Sequence, residues 1–221
     1  MNIIYCFYHR HFRVLSVVMS VLCSLVCLSS CEEHTDIYDR SIKVGSVLLS
    51  DNTVITPGGY DSKEHQAVGI VFYVNRDTAL VVGLKELGNF PFSDSLGTVS
   101  NVVNDAYSKC GMENTAAIMA SDIHSPAVEA VRRYPSPVSG WALPSAGELK
   151  VLADNLPVVT TSMKIVKGDA FSSSQYVSSS QDGSSSESEQ MYYLSVSLKN
   201  GYVTSTVKTT PGRVRAVLRL R

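Results

Sequence analysis

Beyond residue 31 this 221-residue chain contains a single cysteine, Cys110, so no intramolecular disulfide can staple its folded part. About 190 residues are nevertheless enough to bury a substantial core in one domain without such a staple. Basic runs are missing too: 19 Lys and Arg stand against 20 Asp and Glu, and no cationic stretch is interleaved with aromatics. That balance excludes a nucleic-acid partner. There is no Gly-rich phosphate loop, G-x-S-x-G elbow, H-E-x-x-H pair or EF-hand loop. The carboxylates are scattered, with none spaced as a general acid and base pair. Only His34, His65 and His124 follow residue 30, and Cys110 falls on an apolar stripe, which argues against a histidine-activated thiol. Asp122 and His124 lie two apart without the spacing of a metal site, so capping and solvation explain them better. The expectation is no catalytic residue, no metal and no cofactor, with an enzyme of unrecognised site as the alternative.

Long hydrophobic runs are scarce as well. Residues 14–28 are apolar behind Arg10 and Arg13, but the run is shorter than the roughly 20 residues a membrane-spanning helix needs. It reads as a signal peptide over residues 1–30. Its end, Leu28-Ser29-Ser30-Cys31, resembles the lipobox of bacterial lipoproteins, which implies cleavage before Cys31 and acylation of that residue. Each buried acyl CH₂ contributes about 0.8 kcal/mol, so several chains anchor a protein with no spanning helix. Residues 1–30 hold two arginines and no acid, leaving 17 basic and 20 acidic groups and a net charge of −3 on the processed chain. Residues 31–42 read as a polar tether, and Cys31-Glu32-Glu33 is similar to the acidic export signals of surface lipoproteins. The expected location is the outer membrane of a Gram-negative bacterium, lipid-anchored and facing outward.

The rest of the chain alternates strand and helix signals. Val44–Leu49 and Thr53–Thr56 read as a strand pair around Asp51-Asn52, with Pro57-Gly58-Gly59 ending the second. Ala67–Val74 and Ala79–Leu84 form a hairpin across Asn75-Arg76-Asp77 and are expected at the centre of the sheet. Val99, Val102, Val103, Ala106, Tyr107 and Cys110 recur at helical spacing, which predicts a helix closed by Gly111. Asn114 is the expected cap of a second helix, and Ser125-Pro126 opens a third that Pro135 ends. Ser145 and Glu148 have the spacing of a capping box, so a helix follows Pro144 with Leu149, Leu152 and Ala153 on its apolar face. Ten of the seventeen residues from Ser172 to Ser188 are serine, which predicts a long mobile surface loop. Tyr192–Leu198 and Tyr202–Val207 make a hairpin across Asn200-Gly201. The last strand puts Val214, Ala216, Leu218 and Leu220 on one face, and Arg213, Arg215, Arg219 and Arg221 with Val217 on the other, which reads as a solvated cationic side.

Val68–Val74, Asn114-Thr115, Gly140-Trp141-Ala142-Leu143-Pro144-Ser145-Ala146-Gly147-Glu148-Leu149, the serine-rich segment and Val214–Val217 occur in an order that resembles the Lcl C-terminal-type domains of bacterial surface proteins, of the fimbrillin-associated type. The resemblance covers residues 43–221 and implies an α+β, C-type-lectin-like fold: a twisted antiparallel sheet, two or three short helices and a long recognition loop. The Glu-Pro-Asn, Gln-Pro-Asp and Trp-Asn-Asp triplets of calcium-dependent lectins are absent, and one thiol argues against the paired-cysteine chemistry of formylglycine-generating enzymes. The implied function is a calcium-independent, non-catalytic binding or adhesion module for a glycan or protein ligand, belonging to a fimbria-like assembly. A purely structural surface component is the other alternative. Tyr176, as an exposed anchor on the serine-rich loop, and Trp141, largely buried but with a ring able to line a site, are the candidate ligand contacts.

Overall fold

In the computed structural model, which describes residues 42–76 and 78–220, the polypeptide builds one eight-stranded sheet. Its strands are β1 (Val47–Leu49), β2 (Val54–Ile55), β3 (Ala67–Asn75), β4 (Thr78–Pro91), β5 (Gln175–Gln181), β6 (Tyr192–Ser197), β7 (Val203–Val207) and β8 (Pro211–Leu220), in the order β2-β1-β3-β4-β8-β5-β6-β7. Neighbours run antiparallel except β5 and β8, which meet in parallel at Tyr176 and Arg213. The sheet is therefore mixed and open, where an all-antiparallel one is expected from the sequence. The β3–β4 hairpin forms as read, but the middle pair is β4 with β8.

Among the described residues five α-helices accompany the sheet: α1 (Gly111–Met119), α2 (Pro126–Arg132), α3 (Ala146–Asp154), α4 (Leu156–Ile165) and α5 (Ser186–Met191). None is long and apolar enough to cross a membrane. Strand periodicity divides the core. Val47, Leu49, Ile70, Phe72, Val82, Tyr176, Val196 and Val217 pack with Leu149, Leu152, Val159 and Met163 of α3 and α4. Val177, Tyr193, Val214 and Ala216 pack with Ile118 of α1 and Val128 and Val131 of α2. Burying each of the larger apolar side chains contributes about 1.5–3 kcal/mol.

Several sequence expectations change here. Residues 99–110 form no helix: Asn101 takes a left-handed φ of 64°, and the segment runs irregularly along two buried amides. Gln181 accepts from Val99 N at 2.8 Å and donates to Val99 O at 2.9 Å. Asn114 does the same for Val103, at 2.8 and 3.1 Å. Each side chain thus supplies the paired donor and acceptor that a neighbouring strand would, which satisfies backbone groups a buried loop would otherwise leave bare. Asn114 sits inside α1 and not at its cap. Gly111 opens that helix instead of closing the previous one, because a Cβ there would lie 2.8 Å from Leu143 O and 2.9 Å from Ser145 N.

The serine-rich segment is not a mobile loop. Residues 175–181 are β5, an interior strand with Tyr176 to Gln181 all buried, and residues 186–191 are α5. The C-terminal strand is interior too, so its arginine face is not solvated: Arg215 is 1% exposed. Asn155 ends α3 as read, but α4 starts directly after it with Pro157 in its first turn, a helix its β-branched residues did not announce.

Candidate functional site

The block from Trp141 to Leu149 ties the elements together. Ala142 exchanges backbone bonds with Val217 of β8 at 2.8 and 2.9 Å. Leu143 accepts from and donates to Thr115 Oγ1 of α1 at 3.3 and 3.0 Å, and Pro144 O accepts from Ser179 N of β5 at 2.8 Å. The expected capping box is present: Ser145 Oγ accepts from Glu148 N at 3.2 Å and Glu148 Oε2 from Ser145 N at 3.0 Å. Glu148 Oε1 also accepts from Gly111 N at 3.3 Å, so one carboxylate caps the first turns of two helices. Burial pushes the Glu148 carboxyl up, against the pull of those N–H groups and of Arg219. Arg219 stands 3.7 Å from Glu148, pairs with Glu113 and donates to Lys109 O at 2.6 Å. Cys110 lies beside this group, and burial, followed by the carboxylates of Glu148 and Glu113, raises its thiol to about 11. It is a protonated, inert packing group at neutral pH.

A second polar cluster lies where the β4 register shifts around Glu86. Arg215 donates to Glu86 Oε2 through Nε and Nη2 at 3.2 and 3.0 Å, and to the carbonyls of Gly83, Asp169 and Ala170 at 3.1–3.3 Å. Its guanidinium stacks over Phe171 at 4.3 Å. Tyr176 donates its hydroxyl proton to the same Glu86 oxygen at 2.9 Å and accepts from Ser172 N at 2.8 Å. At 1% exposure Tyr176 is a core residue and not the exposed anchor expected of it. Its hydroxyl is driven above the usual tyrosine range by burial and by Glu86. Trp141 is partly buried against two of the core clusters: its Nε1 donates to Val138 O at 2.8 Å, and its ring tilts against Tyr134 with centroids 4.7 Å apart. Cys31 lies outside the described residues.

A surface cleft of about 310 Å³ lies between the end of α1 and α2, lined by Met119, Asp122, His124, Glu129 and Arg132 among others. His124 holds Asp94 at Nδ1, 2.5 Å away, and Glu129 at Nε2, 3.2 Å away. The bond to Asp94, then that to Glu129, raises the imidazole above its ordinary range. Carboxylates at both ring nitrogens favour the imidazolium, and the side chain links the Asp94 segment to Glu129 of α2. Among the described residues no group of three His, Cys, Asp or Glu side chains is arranged to hold a metal ion. The sequence did not point to the Glu86–Arg215 or Gln181–Val99 pairings, whose partners lie 129 and 82 positions apart.

No family profile matches the chain, and no curated protein matches it. The Lcl-type resemblance therefore rests on the residues quoted for it. Among solved structures, the chain is similar to a fimbrial protein from Bacteroides ovatus ATCC 8483, with a TM-score of 0.62 and 18% identity. The match covers 81% of this chain and 49% of that one, so this protein spans about half the length of its structural neighbour. At that identity the likeness is one of fold: an α+β architecture shared with a fimbrial protein.

Proposed function

We propose that the chain is a lipid-anchored, outward-facing surface component that takes part in a fimbria-like assembly and engages its partner without catalysis and without calcium. The observation that carries this reading is the fold shared with a fimbrial protein over 81% of the chain. The chemistry of the interior supports it. The buried ionisable groups Glu148, Arg215 and Lys208 all bond the chain's own backbone or side chains, and the Cys110 thiol is held protonated. Buried charges that satisfy backbone groups stabilise a scaffold and leave little to act on a substrate. The anchor is Cys31, behind the lipobox-like Leu28-Ser29-Ser30, with residues 31–42 as the tether.

The test uses the full chain in a Gram-negative host that assembles surface filaments. The wild type should label with a palmitate analogue, be cleaved by protease added to intact cells, and sediment with sheared filaments. Cys31→Ser should lose the label and the membrane fraction. A wild-type protein that stays protected inside the envelope and is absent from sheared filaments contradicts the proposal.

A further inference from the structure

The two most exposed large apolar side chains among the described residues are Tyr107 and Tyr202, at 71% and 70%. Neither supports the core, yet both stand on backbone that is firmly held. The Tyr107 amide donates to Asp105 Oδ1 at 3.0 Å. Its carbonyl packs on the first turn of α3 so closely that only glycine fits at position 147. The Tyr202 amide donates to Asn200 Oδ1 at 3.2 Å, and its carbonyl accepts from Ser197 N at 2.9 Å, across a turn that Gly201 makes with φ 70°. Between them lies Lys150 of α3: its Nζ sits 5.2 Å from the Tyr107 ring centre and donates to the Gly201 carbonyl at 3.4 Å. One ammonium thus bridges the two tyrosine-bearing loops, and the Tyr107 ring lies within a disaccharide's length of the residue before Tyr202.

We infer that Tyr107, Lys150 and Tyr202 form a binding platform for a neutral oligosaccharide, which deepens the surface-component reading by naming its ligand class. Tyrosines are amphipathic and lose few torsions on binding, and on a fixed backbone they cost little further ordering. A phenol face stacks on the C–H face of a pyranose ring, while Lys150 and the Asn200 amide offer donors to hydroxyls at its edge. The platform contributes no residue to the 310 Å³ cleft. Protein-binding hot spots centre on desolvated pockets, whereas these rings lie open at 70% or more, which favours a sugar stacked on their faces.

The full-length protein, solubilised in detergent, is applied to an array of oligosaccharides ending in glucose, galactose, mannose, N-acetylglucosamine or sialic acid, and hits are titrated in solution. A neutral series should bind equally well in EDTA. Tyr107→Ala and Tyr202→Ala should each weaken it by about tenfold or more, with Tyr→Phe retaining most of the affinity and no variant shifting the thermal midpoint. Absence of binding into the millimolar range overturns the inference, and so does a Tyr107→Ala/Tyr202→Ala double variant that binds as wild type. Binding restricted to sialylated glycans, or a double variant that keeps its glycans but drops out of sheared filaments, overturns it in favour of an anion or a protein partner. Filament sedimentation is read separately: a double variant that stays in sheared filaments with glycan binding lost supports both proposals, whereas an unmutated protein that binds glycans but does not associate with filaments rejects only the assembly.

Discussion

Two strands of similar composition meet opposite fates in this fold. β5 reads Gln-Tyr-Val-Ser-Ser-Ser-Gln and β7 reads Val-Thr-Ser-Thr-Val, yet Ser178, Ser179 and Ser180 are 0% exposed while Thr204 and Ser205 face solvent. The difference lies in their neighbours. β5 runs between β8 and β6 with α1 and α3 packed on it, whereas β7 pairs with β6 alone among the described strands and ends the sheet. Small hydroxyl side chains tolerate enclosure where their polar atoms find partners: Ser178 Oγ donates to Leu194 O at 2.5 Å and Ser180 Oγ accepts from Ala146 N at 3.2 Å. A serine-rich composition therefore marks a strand that can be buried once its hydroxyls are satisfied as readily as a strand left at a rim.

The largest effect that separates interior from rim should come from Arg215→Ala. It strands Glu86 and three carbonyls beneath β5, and a loss of about 3–5 kcal/mol is expected by chemical denaturation. A change near zero would mean the cluster is hydrated and β5 less enclosed than described. Within β5 itself, Ser178→Ala removes a bonded hydroxyl and should cost about 1–2 kcal/mol, while Ser179→Ala removes one without a partner among the described residues and should be neutral or slightly stabilising. Equal costs for the two would break the argument that bonding, and not size, permits serine there. On β7, Thr204→Lys should change stability by less than about 0.5 kcal/mol.

The smallest effect concerns the His124 clamp. Its folded-state imidazole titrates above the ordinary 6.5, held by Asp94 and Glu129, with Arg133 also paired to Glu129. A raised folded value stabilises the protein below the unfolded value, and that stabilisation is lost as pH rises through the folded value. The thermal midpoint of the wild type, relative to His124→Gln, should therefore fall modestly between pH 5.5 and 8. A difference that is flat or rises with pH would remove the clamp.

What the sequence made legible was local. The Ser145–Glu148 box, the Ser125-Pro126 helix start and the Asn200-Gly201 turn each hold their chemistry within four residues, and all three form. A continuous β-branched and aromatic run placed the β3–β4 hairpin, and apolar alternation the β6–β7 hairpin. The failures are long-range. Val99 to Cys110 has helical spacing, but Gln181 and Asn114 offer the Val99 and Val103 backbone better-placed partners than the i→i−4 bonds of a helix. The arginines of β8 look solvated until Glu86 and Glu113 arrive from 129 and 106 positions away. Of the candidate ligand contacts, Tyr176 went to the core and Trp141 packs against its margin, while Tyr107 was hidden by assignment to the apolar face of a helix that does not form.

Native-state amide hydrogen exchange on the full chain, read residue by residue across β5 and β7, tests the central claim that a serine-rich strand sits in the interior of a rigid scaffold. The amides of Ser178, Ser179 and Ser180 should exchange only through global unfolding, as slowly as those of Val81 and Val82 in β4, while the outward amides of β7 exchange through local fraying. Exchange of Ser178–Ser180 as fast as the β7 rim would contradict the account and return the segment to a surface loop.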